Sequence, residues 1–398
     1  MVKIERLKIS IQKRMYIINS WFYNRNNKIV LIGSWMGEKF ADNTRYLFQY
    51  LSENRKELGL ERVIWVTRKI SIYQMLKDMG YEAYMMDSKE SVYFHKKAGI
   101  HIICNSQYDT KTTYGDIMGQ YSYGAKCVDL WHGLGLKGVG YASNEWKKRK
   151  IKKTIIKRIK ETFNGGWENR WVLSTTSNAT DIFEKYFKLP RDKYIESAYP
   201  RNCAVPRLTR DEMRVLESFK EYDAVVLYLP TFRNSNQFNF NDYTKVLTDV
   251  LKKENILWIQ KSHSVDNFNH TQNSKEENIL NLDPKFDINV LLPHITVLVT
   301  DYSSVMFDAM YHNKPVLYLV PDYEEYKNGD RGFAINPDDV MCGPKFFSIE
   351  ELKEDLSVYC KYTELAKGTN YNVVREKYWG NEFKGLGDIW RDILKAIK

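Results

Sequence analysis

The sequence predicts an α/β protein of two domains, each built on a parallel sheet. Three observations predict it. The chain has 398 residues, 43% of them apolar, enough side chains for two cores. Short runs rich in Val and Ile alternate with helix-spaced segments, the pattern of right-handed βαβ units covered on both faces. That alternation occurs twice, with a polar, Arg-rich stretch between. The five cysteines are odd in number and scattered, without a C-x-x-C pair, so they read as reduced packing residues and not as a disulfide framework or zinc site. No apolar run approaches the roughly 20 residues that span a bilayer, and the first residues lack the apolar core of a signal peptide, so any membrane contact is expected to be peripheral.

Residues 1–27 form a basic amphipathic segment. Ile4, Leu7, Ile11, Met15, Ile18, Trp21 and Phe22 share one helical stripe, with Lys3, Arg6, Lys13 and Arg14 between them. Such a face suits an anionic membrane surface and equally suits packing on its own domain. The first domain, 28–205, carries strand-like runs at 29–35, 62–67, 81–86, 100–105 and 125–131, with helical segments at 43–58, 71–79 and 89–98 between. Loops after such strands are where chemistry is expected.

One of them reads Trp131-His132-Gly133-Leu134-Gly135-Leu136-Lys137-Gly138-Val139-Gly140, with four glycines in eight residues. The glycines allow a tight loop that a ligand can approach, and His132 is the side chain suited to proton exchange near neutral pH. Taken alone, a His-Gly at a strand end is also an ordinary structural feature. Next comes a basic helix, 147–163, in which nine Lys and Arg face the single acid Glu161 while Ile151, Ile155, Ile159 and Phe163 recur at helical spacing. Its field attracts phosphate of any kind, and the isoleucine stripe with Trp167 and Trp171 favours a membrane interface over nucleic acid. A solvated face docked through its isoleucines is the competing reading.

The second domain, 206–380, repeats the alternation with strands at 224–229, 256–260, 295–300 and 315–320. These end, in turn, in Pro230-Thr231-Phe232-Arg233, in Lys261-Ser262-His263, in Asp301-Tyr302-Ser303-Ser304, and shortly before Arg331-Gly332-Phe333. In a parallel sheet all of these converge on one edge. Hydroxyls, cations and the first turn of a helix there suit a diphosphate. Each could singly be a cap or a surface charge. Residues 381–398 read as a C-terminal helix with Ile389, Ile393 and Ile397 on one side.

Together these residues resemble the CDP-glycerol glycerophosphotransferase family, the primases and polymerases of teichoic-acid and related capsule-polymer synthesis. The markers are Asp42-Asn43-Thr44-Arg45-Tyr46, Trp131-His132-Gly133 with Leu136-Lys137, Tyr199-Pro200-Arg201-Asn202, Thr231 to Arg233, Lys261 with His263, Asp301 to Ser304 with Asp308, Arg331-Gly332-Phe333, and Gly343-Pro344. Three positions depart from the family pattern: Leu134-Gly135 replaces a usual Thr-Pro, Cys203 a common Asp, and Ser264 a frequent Pro.

The resemblance implies a GT-B architecture, two Rossmann-like domains with parallel sheets facing across a cleft, the second binding the donor. It further implies a CDP-glycerol donor, a polyprenyl-diphosphate-linked saccharide acceptor, and peripheral attachment to the cytoplasmic face of the cell membrane. The expected reaction moves glycerol phosphate to an acceptor hydroxyl and releases CMP. His132 is the candidate general base and His263 the second catalytic candidate. Arg233, Thr231, Lys261, Ser303 and Ser304 are expected to hold the diphosphate, with Asp301, Gly133 and Lys137 in the substrate shell. Asp308 reads either as a ribose acceptor or as a solvated helix residue. No His, Asp or Glu group has metal-ligand spacing, so the sequence calls for no metal and no cofactor. The rival readings are a CDP-ribitol enzyme of the same family, a GT-B nucleotide-sugar glycosyltransferase or epimerase, and a basic membrane or nucleic-acid adaptor without turnover.

Overall fold

The computed structural model describes residues 15–16, 18–105, 115–136, 138–142, 170–231, 240–261, 278–328 and 333–398. The chain divides into two compact units: Met1–His132 with Arg149–Pro206 and Glu382–Lys398, and Gly133–Lys148 with Arg207–Asn381.

In the first unit the elements run β1 (Asn26–Ile32), α1 (Asp42–Glu53), β2 (Arg62–Thr67), α2 (Ile70–Asp78), β3 (Ala83–Met85), α3 (Lys89–Lys97), β4 (Ala98–Ile103), β5 (Lys126–Asp129), β6 (Arg170–Ser174), α4 (Ser177–Phe187), β7 (Tyr194–Glu196) and α5 (Pro200–Cys203). Every strand pairs in parallel, in the order β3-β2-β1-β4-β5-β6-β7. Helices cover both faces of such a sheet, which is why the central strands read as near-continuous apolar runs. All six residues of β4 are buried, and so are the last four of β1. Around the fully buried Trp65, Phe40 and Phe48 pack edge-on at centroid distances of 4.7 and 5.2 Å.

The second unit has α6 (Arg210–Ser218), β8 (Ala224–Leu229), α7 (Phe240–Lys253), β9 (Ile256–Lys261), β10 (Ile279–Leu282), β11 (Val297–Thr300), α8 (Val305–Tyr311), β12 (Val316–Leu319), α9 (Tyr323–Asn328), β13 (Lys345–Phe346), α10 (Ile349–Lys361) and α11 (Tyr371–Trp379). Its sheet, again all parallel, has the order β10-β9-β8-β11-β12-β13. Val226, Trp258, Val297, Val299 and Leu317 from the sheet meet Leu247 of α7 and Leu352 and Leu356 of α10 in one core. The chain then returns to the first unit as α12 (Leu386–Ala396), where Ile389, Trp390 and Ile393 are buried, as is Ile397 just after it. Asp392 of this helix accepts hydrogen bonds from Ser197 Oγ (2.7 Å) and Lys384 Nζ (2.6 Å).

Most elements lie within a few residues of their expected places. β1 ends three residues short of expectation: Gly33, which still donates to the Ile102 carbonyl of β4 at 3.1 Å, packs directly under the Asp116 carbonyl, and Trp35 and Met36 then turn with positive φ. The helix expected over 43–58 stops at Glu53. β7, β10 and β13, of three, four and two residues, are too short for a period-2 pattern to register. Among the described residues no helix is long and apolar enough to cross a membrane.

Candidate active site

Both sheets share the doubly wound order, so each has a point where neighbouring strands lead to helices on opposite faces. Ligands of such folds bind beyond the strands' carboxyl ends at that point. It lies between β1 and β4 in the first unit, and between β8 and β11 in the second.

At the second unit's switch point, Asp301 is buried, and both its oxygens lie 2.9 Å from the Thr231 N–H that they accept. Thr300 Oγ donates to the Leu229 carbonyl at 2.6 Å. The ends of β8 and β11 are thereby tied together, and Thr231, Ser303 and Ser304 sit half-buried at the edge. Lys261, half-buried at the end of neighbouring β9, donates to the Phe286 carbonyl at 2.5 Å. Tyr302 is buried, stacks on Tyr326 at 4.0 Å, lies 5.6 Å from the Phe333 ring and donates to Asp322 at 3.1 Å. These contacts fix the turn that presents the two serines.

The structure refines several expectations here. Ser304 stands at the head of α8 with helical backbone and makes no side-chain capping bond, and α8 has only seven residues. The serine hydroxyls, and not a long helix dipole, are therefore what this turn offers an anion. Asp301 braces the loop after β8. Asp308 is only 3% exposed, which removes its reading as a solvated helix residue. Arg233, His263, Lys137, the basic helix 147–163 and the start of the N-terminal stripe lie outside the described residues.

In the first unit His132 stands beyond β5, half-buried. Its Nδ1 lies 2.9 Å from the Cys104 carbonyl. A carbonyl only accepts, so Nδ1 carries a proton, and in the neutral imidazole Nε2 then holds the lone pair. The imidazole lies against Trp131 (centroids 4.1 Å) and Trp35 (5.2 Å). Its loop is held by three of the residues noted as sequence markers. Asn43 Nδ2 donates to the carbonyls of Leu130 (3.2 Å) and Trp131 (2.9 Å), while its Oδ1 accepts from Arg201 N (3.2 Å). Arg201 Nη1 donates to the His132 carbonyl at 3.1 Å and to Asp42 Oδ1 at 2.5 Å, an ion pair 4% and 7% exposed on its two sides. Asp42 Oδ2 also accepts from Trp35 Nε1 at 3.2 Å.

Backbone strain gathers at the same place. Eight described non-glycine residues have positive φ. Asn255, Asn278 and Asn313 are of the type that tolerates it, and Lys188 closes a helix. The other four, Trp35 (φ 44°), Met36 (58°), Asp42 (67°) at the head of α1 and Trp131 (53°), all lie about His132. Strain of this kind persists where surrounding contacts over-determine the chain, and it concentrates at functional sites. Sequence reading found His132 and the markers but missed Trp35, whose only signal was its place after β1. Among the described residues no cluster of three or more His, Cys, Asp or Glu is placed to hold a metal ion.

Two doubly wound domains, each on its own parallel sheet, are the GT-B class of fold. The comparisons with known proteins agree. The family described as CDP-glycerol:poly(glycerophosphate) glycerophosphotransferase matches residues 15–382, and the chain belongs to it. It is thus an enzyme, a glycerophosphotransferase of the teichoic-acid type. The teichoic acid poly(glycerol phosphate) polymerase of Bacillus spizizenii is 26% identical over 386 residues, covering 89% of this chain and 93% of that one. The teichoic acid glycerol-phosphate transferase of Staphylococcus aureus is 24% identical, covering 80% of each. A solved structure of the wall teichoic acid polymerase TagF matches with a TM-score of 0.72 at 20% identity, covering 100% of this chain and 95% of that one. A UDP-GlcNAc 2-epimerase from Neisseria meningitidis matches at 0.50 with 14% identity, a likeness of fold alone.

Proposed function

We propose that the protein transfers glycerol phosphate from CDP-glycerol to a hydroxyl of a lipid-linked saccharide or growing glycerol-phosphate chain, releasing CMP. The observation that carries this reading is the tautomer of His132, within a chain that belongs to the glycerophosphotransferase family. With Nδ1–H committed to the Cys104 carbonyl, Nε2 is the group that takes a proton. The acceptor oxygen attacks the phosphorus that bears the glycerol. A new phosphodiester bond forms, the phosphoanhydride bond to CMP breaks, and the acceptor proton passes to Nε2. Gly133, which has φ 141° and no Cβ, leaves room beside the imidazole for that acceptor.

Charge on the diphosphate and on departing CMP is taken up by Ser303, Ser304, Thr231 and Lys261, together with Arg233, His263 and Lys137 of the sequence pattern. Asp301 contributes by holding the Thr231 loop in place. Asp308, one turn beyond Ser304, is assigned to the donor's ribose side. Glycerol is favoured over ribitol as the polyol. Glycerol-phosphate relatives match 55–89% of the chain, the four that match most of it 80–89%, whereas the two ribitol-phosphate relatives match 38% and 55%.

Peripheral attachment to the cytoplasmic membrane face, and an acceptor carried on a polyprenyl diphosphate, belong to the same proposal. Met15, Ile18, Trp21 and Phe22 support it: they are 57%, 49%, 76% and 82% exposed, while Ser20 of the same segment is buried. The apolar stripe noted in the sequence is thus turned outward at its described end.

Incubation with labelled CDP-glycerol or CDP-ribitol and a lipid acceptor analogue tests the reaction. CMP and a product longer by one glycerol phosphate are expected, and His132→Ala should lower kcat by about a hundredfold or more while the protein stays folded. Near wild-type turnover in that variant would remove His132 as the base, and release of UDP or GDP from a nucleotide sugar would remove the reaction.

A further inference from the structure

The first unit holds a buried carboxylate that the chemistry above does not use. Asp116 is fully buried and lies between the ends of β1 and β4, in a segment seated directly on Gly33. A Cβ at Gly33 would stand 1.9 Å from the Asp116 carbonyl oxygen, so no larger residue fits while the segment keeps its place. Asp116 Oδ1 accepts from Met36 N at 2.8 Å, and Oδ2 accepts from Cys104 N at 2.9 Å and Asn105 N at 2.8 Å. One carboxylate thus ties the strained turn after β1 to the end of β4.

The geometry of one of these contacts reaches further. The Asn105 N–H and the Cys104 C=O belong to a single peptide unit, which is planar and, when trans, points these two groups in opposite directions. Asp116 holds the N–H side of that unit, and the C=O side accepts the His132 Nδ1–H at 2.9 Å. We propose that Asp116 is a positioning residue for His132, setting the orientation and tautomer of the imidazole through the Cys104–Asn105 peptide unit. The inference rests on His132 acting as the base, and its test separates the two.

A carboxylate on the N–H polarises the amide and strengthens the acceptor that the imidazole sees. Asparagine cannot reproduce this. Its one oxygen accepts, but its NH2 would face N–H donors where Asp116 presents a second acceptor. Protonation of Asp116 has a milder form of the same effect, and burial pushes its carboxyl up to about 7. The titratable groups that interact with it are Asp129 of β5, paired with Arg170, and the buried thiols of Cys104, on the Ser34 hydroxyl, and of Cys127 in β5; Asp42 of α1, paired with Arg201, acts on Cys104, and His132 on Asp129. Asp129 adds to the upward push.

The test is the tautomer of His132 in the substrate-free protein, read from ring 15N shifts assigned with His132→Gln. The wild type should show Nδ1 protonated and Nε2 bare. Asp116→Asn should shift the population toward the Nε2–H form and lower kcat about tenfold to a hundredfold, with KM for the CDP donor changed by no more than about twofold. A folded Asp116→Asn variant that keeps the Nδ1–H signal and wild-type kcat overturns the proposal. Should that variant not fold, the wild type decides: the Asn105 amide and the His132 Nδ1–H resonance should both move as Asp116 Cγ titrates, and an Nδ1–H signal indifferent to the Asp116 midpoint overturns it. If His132→Ala stays active while Asp116→Asn shifts the tautomer, the base assignment fails and the positioning role stands.

Discussion

Arg201 shows how much one side chain can carry. Its guanidinium joins the Asp42 carboxylate in a buried ion pair, donates to the His132 carbonyl, and lies 5.2 Å from the Tyr199 ring. Asp42 in turn anchors Trp35, whose ring lies against the imidazole. Removing one member of a buried pair leaves the other charge without its partner, at a cost of about 3–5 kcal/mol. Arg201→Ala is therefore expected to lower the stability of the first unit by that amount in denaturant titration, and to reduce turnover beyond the loss of folded protein because the His132 loop loses a donor. A variant within about 0.5 kcal/mol of wild type would show that the pair contributes little. In the sequence, Asp42, Asn43 and Arg201 stood out only as family markers, 158 or more positions from one another across the pairs they form. Nothing local in a chain announces a contact of that range.

At the scale of elements, several markers are backbone devices. Gly343 lies where a Cβ would stand 1.9 Å from the Val316 carbonyl of β12 and 2.9 Å from the Ala366 carbonyl, so the chain entering β13 passes close against its neighbour. Gly343→Ala must push these backbones apart, and overpacking of this kind costs about 1–3 kcal/mol. A drop in thermal midpoint with β13 amides losing hydrogen-exchange protection is the expected outcome, and an unchanged midpoint would contradict the tight approach. The Asp301-Tyr302-Ser303-Ser304 turn is another such device. Asp301 fastens it to the loop after β8 and Tyr302 plugs it into an aromatic cluster, which leaves the serines as its accessible part. Sequence reasoning grouped the four residues as one polar turn. Their division into two anchors and two presenters depends on which side chains the sheet buries.

For the whole molecule, the proposed membrane attachment is testable at the exposed N-terminal stripe. Burying Trp21 or Phe22 in a lipid interface is worth about 1.5–3 kcal/mol each. Replacing both with Ser should lower partitioning onto anionic vesicles more than tenfold on that estimate, and unchanged sedimentation with vesicles would sink the attachment proposal. The alternation of apolar runs and helical segments determined the parallel α/β class, because a strand buried on both faces must be apolar along its length. It also placed His132, Thr231, Lys261 and Ser303 at strand ends, since a chain leaving a sheet ends its apolar run there. Only the tertiary structure decided the order of the strands, the return of α12 to the first unit, and the joining of Asp116 to His132 through one peptide unit. The physical reason is range: periodicity records what each residue needs from its immediate neighbours, whereas the tautomer of an imidazole is set by whichever carbonyl the fold brings to it.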